Sequence, residues 1–101
     1  MAGLSITPYR AEPVDQRLIE PLDSMTLIYQ RLSGITHIVA EPVPQMLAAM
    51  GHDAVDVATL VARLVEHFDL GDPGEAQNII GARLEELAEL GLVERVNIDA
   101  A

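Results

Sequence analysis

The 101-residue chain contains no cysteine, no lysine and no tryptophan, and its only aromatic residues are two tyrosines and one phenylalanine. Without cysteine there can be no disulfide, no thiolate nucleophile and no Cys-ligated zinc. Without lysine the cations are six arginines, which face 16 acids and leave a net charge of −10. A duplex phosphate backbone is repelled on average by such a chain. The imbalance is uneven: residues 1–50 carry three Arg and five acids, residues 51–101 three Arg and eleven acids, so an anionic partner is expected to meet the first half. Long apolar runs are also missing. Nowhere do about eighteen apolar residues follow one another, which excludes a helical membrane span. Pro8, Arg10 and Glu12 interrupt the N-terminal residues early; no secretory signal is read there, and a cytoplasmic location is expected.

What is present is a chain that is 50% hydrophobic, the size of one small globular domain. At this length roughly 60–70% of the unfolded surface can be buried, with little material left for a deep catalytic cleft. Residues 1–13 mix small, polar and proline residues without a sustained period and read as a loosely attached arm with one short extended piece. The domain proper is expected over 14–97, with 98–101 as a tail. Its first part carries three strand signals rich in β-branched and aliphatic residues, RLIEPL at 17–22, MTLIYQ at 25–30 and ITHIVA at 35–40. Asp23-Ser24 breaks the first pair. Arg31-Leu32-Ser33-Gly34 forms a four-residue loop whose glycine supplies a positive φ, so the last two strands are expected to form a hairpin.

Glu41-Pro42-Val43-Pro44 ends the third strand, and Pro44 suits the first turn of a helix whose stripe is Val43, Met46, Leu47 and Met50 and whose stop is Gly51. A second helix starts at Asp53 or Asp56 and places Val57, Leu60, Val61, Leu64, Val65 and Phe68 on one face. The third has Asp72 as N-cap, Pro73 in its first turn and Glu75 three residues after the cap, and runs to Leu90 before Gly91. Ala76, Ile79, Ile80, Leu84, Leu87 and Leu90 form its stripe, and Leu92-Val93 continue as an extended pair that docks on the core. The expected fold is α+β and winged-helix-like: a three-stranded antiparallel sheet followed by three helices that cover one of its faces.

Catalytic signals are absent from this pattern. His37, His52 and His67 fall in a strand, a loop and a helix end without ligand spacing, so no metal is expected. Ser5, Ser24 and Ser33 lack a nucleophile elbow, and no glycine-rich phosphate loop occurs. Neither an enzymatic activity nor a cofactor is expected. A three-stranded sheet does leave an edge, and in ITHIVA that edge is short, apolar and lysine-free. Either a loop or the N-terminal arm covers it, or an extended peptide adds there through main-chain hydrogen bonds. Alternation leaves the N–H of either Ile38 or Val39 pointing outward.

The segment LIYQRLSGITHIVAEPVPQML, followed by two helices that end in LEELAELGLVERV, resembles the PqqD-type peptide chaperones, whose fold is also called the RiPP recognition element. More narrowly, SGITHIVAEP is similar to PqqD-like members encoded beside an HPr-kinase-related protein. The resemblance covers roughly residues 14–96. It implies a non-catalytic domain that captures the leader of a ribosomally made precursor peptide by strand addition and presents it to a modifying enzyme. In that family the leader joins the third strand and lies against the third helix. The corresponding residues here are Gly34, Ile35, Thr36, His37, Ile38, Val39 and Ala40, and on the helix flank Ile79, Arg83 and Glu86.

Arg83 falls inside the apolar arc of its helix. Either its stem covers core atoms and its guanidinium reaches Glu86 or another acid, or it stands at the groove rim and pairs with an acid of the bound peptide. Two other readings compete with peptide capture. A winged-helix DNA-binding regulator would use helix 73–90, whose one Arg and four acids oppose phosphate contacts, so no nucleic acid is expected. A structural subunit would pair with itself edge to edge, giving a homodimer through the same strand.

Overall fold

A computed structural model describes residues 7–96. Its strands are β1 (Tyr9–Ala11), β2 (Arg17–Leu22), β3 (Met25–Gln30), β4 (Thr36–Ala40) and β5 (Val93–Arg95), and its helices α1 (Val43–Met50), α2 (Val57–Val65) and α3 (Pro73–Leu90). The α+β architecture holds: β2, β3 and β4 form a three-stranded antiparallel meander in that order, followed by three helices. The second strand pair is the expected hairpin, with Gly34 at φ 74° and its N–H bonded to the carbonyl of Gln30 at 2.9 Å. At the other turn Asp23 occupies the left-handed region at φ 46°, which a short Asx side chain tolerates.

The short extended piece expected within residues 1–13 is β1, but the segment that carries it is not loosely attached. β1 pairs antiparallel with β5, Ala11 opposite Val93 and Arg10 opposite Glu94, and Tyr9 exchanges backbone hydrogen bonds with Val55 at 2.7 and 2.8 Å. Tyr9 and Ala11 are buried in the core. The domain therefore begins before residue 14, and the Leu92-Val93 extension docks as the partner strand that closes it. No local period announces a three-residue strand, because its stability comes from a partner more than 80 residues away. The ends of the expected arm (residues 1–6), residue 97 and the tail 98–101 lie outside the described residues.

Two of the helices start at carboxylate caps. Thr59 N–H donates to the Asp56 carboxylate at 2.8 Å, and Glu75 N–H to Asp72 at 3.0 Å. Of the two expected starts for α2, Asp56 is the cap. Gly91 takes the left-handed conformation at φ 81° and, with Leu92 N–H bonded to Leu87 O, closes α3. The stripes are narrower than their periodicity implies: Leu60, Val61 and Leu64 of α2 and Ala76, Ile80, Leu84 and Leu87 of α3 are buried, whereas Val65, Ile79 and Leu90 are exposed, and Phe68, expected on the second helix, is exposed and lies beyond the end of α2 at Val65. The neighbours cover only the central ridge of each helix, and the flanking positions stay in water. No helix among the described residues is long and apolar enough to cross a membrane.

Candidate functional site: the β4 edge and the outer sheet face

Cross-strand partners share a face, so the register sorts the meander into two sides. The inner side carries Ile28 and Val39, both buried, together with Arg17, Thr26, Gln30 and His37. The outer side carries Leu18, Leu22, Met25, Leu27, Tyr29 and Ile38, with Glu20, Thr36 and Ala40 among them. β3 thus turns Thr26, Ile28 and Gln30 inward and Met25, Leu27 and Tyr29 outward.

The inner polar groups are mostly partnered. Gln30, 5% exposed, donates from Nε2 to the Gly91 carbonyl at 3.1 Å. That bond orients the amide, so Oε1 accepts from Ser33 Oγ at 3.2 Å and from His37 Nε2 at 2.7 Å. His37 therefore carries a proton on Nε2. Arg17 donates to the carbonyl of Glu12 at 2.6 Å while its Nε has no partner. Burial lowers the Arg17 guanidinium from its ordinary range, and the charge of Glu12 opposes that shift.

Both outer strands of the meander are edges, and hydrogen-bond parity distinguishes them. Gln30 N–H donates to Ile35 O at 2.9 Å, and the register to Ala40 is one to one without a bulge. His37 and Val39 therefore turn their N–H and C=O toward β3, whereas Thr36, Ile38 and Ala40 turn theirs away from it. On the other side Arg31 N–H donates to Gln16 O at 2.9 Å, so Arg17, Ile19 and Pro21 point outward from β2. Proline has no donor, and this edge is interrupted at its outward position. β4 holds no proline and no formal charge. Among the described residues no strand pairs with its free side.

The expected site residues separate into groups. Thr36, Ile38 and Ala40 present the open edge, and Ile38 is 63% exposed. Gly34 and Ile35 belong to the turn and bond internally, His37 is held by Gln30, and Val39 is core. Between Ile38 and Val39, Ile38 has the outward N–H. The helix flank sits apart: β4 packs mainly on β3 and α1, while α3 packs on α2 and β5. Ile79 is exposed, and Arg83 donates to Glu86 at 2.8 Å one turn along its own helix. Sequence reasoning missed the apolar outer face. Its signal was present in the register: once LIYQ is paired with ITHI, Leu27 and Tyr29 must share a side with Ile38 and Thr36.

Compared with protein-family models, curated proteins and solved structures, the chain matches none.

Proposed function

We propose that this protein is a peptide-binding module that takes an extended segment as a fourth strand on β4. Following the resemblance to PqqD-type chaperones, we assign the segment to the leader of a ribosomally made precursor, presented in the cytoplasm to a separate modifying enzyme. The observation that carries the reading is the contrast between the two edges. β4 offers outward backbone groups at Thr36, Ile38 and Ala40 that no strand among the described residues pairs with, whereas β2 is interrupted by Pro21. An added strand gains main-chain hydrogen bonds at every second residue, and its alternate side chains extend the outer face beside Ile38. Peptide capture is favoured over DNA reading because α3 carries four acids, and its one cation, Arg83, is engaged by Glu86.

Amide hydrogen exchange followed residue by residue tests this, using synthetic leader peptides from short reading frames beside the gene. The expected result is slowing at Thr36, Ile38 and Ala40 on peptide addition, with His37 and Val39 already slow in the free protein. Peptide binding that leaves those three amides unchanged would overturn strand addition at β4.

A further inference from the structure

The outer face of the meander is a second surface, distinct from the β4 edge, and no element of the described chain covers it. Leu18, Leu22, Met25, Tyr29 and Ile38 are exposed there and Leu27 is half-buried, with Glu20 the single formal charge. Side chains of this size over three strands leave on the order of 500 Å² of apolar surface open, at the upper end of what a monomer carries. The charge of the chain is arranged around this face. Residues 17–40 hold Arg17 and Arg31 against Glu20 and Asp23, a net of zero, whereas residues 41–96 hold three Arg against eleven acids, a net of −8. The meander is the neutral side of a strongly acidic molecule.

We infer that this face is the contact between two copies of the chain, stacked sheet on sheet around a twofold axis. Two copies at −10 each repel on average, and this arrangement puts the acidic helices at opposite ends of the pair. A flat apolar sheet face is complementary to itself without a shaped pocket, as in sandwiches whose sheets pack about 10 Å apart. The area agrees: two faces would remove about 1,000 Å² from water, near the lower bound for a specific interface and therefore a weak, concentration-dependent dimer. Strand addition at β4 uses groups in the plane of the sheet, so the dimer leaves that edge open and the two proposals stand independently.

Analytical ultracentrifugation of the full chain from about 1 μM to about 1 mM tests the inference. A monomer–dimer equilibrium is expected that tightens as added salt screens the like charges. Met25→Glu and, as a second variant at an equally exposed position, Leu18→Glu should each raise the dimer Kd by at least about tenfold, since the axis brings two unpaired carboxylates into an apolar contact. Thr36→Pro, which removes an outward edge donor at the margin of this face, should raise the Kd less than either Glu variant. Circular dichroism checks the fold of each variant. A monomer throughout the range would overturn the inference. So would a dimer lost in Thr36→Pro but kept in both Glu variants, which is edge pairing, or a monomer that binds phosphatidylcholine vesicles through Met25 and Leu18.

Discussion

Gln30, the last residue of β3, donates its side-chain N–H to the carbonyl of Gly91 at the C-terminus of α3, a bond of 3.1 Å across 61 residues of chain. The same amide accepts from Ser33 and His37, so one buried side chain ties the sheet, the hairpin loop and the end of the longest helix together. Gln30→Leu keeps most of the volume but leaves the Gly91 carbonyl and the His37 N–H without a partner. Equilibrium urea unfolding should show a loss of about 1–3 kcal/mol, the cost of stranding buried polar groups. A neutral result would mean that water replaces the amide.

Proline at adjacent positions of β4 should give opposite outcomes. Ile38→Pro removes an N–H that faces away from β3, so the protein should fold while peptide affinity falls sharply. Val39→Pro removes a ladder hydrogen bond and the packing of a buried valine, and should destabilise the fold by about 2 kcal/mol or more. Thermal melts and peptide titrations on the two variants check the parity directly.

Arg83 and Glu86 form an exposed ion pair within one helix turn. Pairs of this kind contribute less than about 1 kcal/mol, so Arg83→Ala should barely move the melting curve. Because α3 has its main packing on α2 and β5, peptide affinity should also stay within about twofold. A large loss of affinity with normal stability would place Arg83 in the peptide groove after all.

The cap of α2 makes a pH prediction. Backbone and then side-chain hydrogen bonds from Thr59 hold the Asp56 carboxyl below its usual range. A depressed folded value means that this contribution is complete above about pH 5 and shrinks as pH falls below about 4. Asp56→Ala should cost about 1 kcal/mol at neutral pH. The gap between wild type and variant, measured by unfolding at several pH values, should narrow as pH falls below about 4, where the unfolded carboxylate takes up its proton.

Much of this fold was legible in short stretches of chain. Helix caps at Asp72 and Gly91, the stop at Gly51, the breaks at Asp23-Ser24 and Ser33-Gly34 and the three strand segments depend on interactions within a few residues, and the structure places them as the pattern implies. The β4 segment of the candidate site was legible for the same reason. Its donors were not assigned, because parity depends on which residue of β3 bonds which residue of β4, and a shift of one residue reverses every N–H.

Amphipathic periodicity overestimated burial at Val65, Ile79 and Leu90, since it shows which side of a helix is apolar but not how wide a neighbour lies against it, and at Phe68 because α2 ends three residues earlier. The pairing of β1 with β5 joins the two ends of the described chain, and no local signal in either three-residue strand specifies the other. Composition and local pattern were enough for an acidic, lysine-free α+β domain with an apolar third strand. Long-range packing alone decided which edge is open, which side of the meander faces water and whether Arg83 lies near the strand it was expected to serve. Those properties belong to the relative placement of elements, where many weak contacts distant in sequence act together, and they do not exist until the chain has closed on itself.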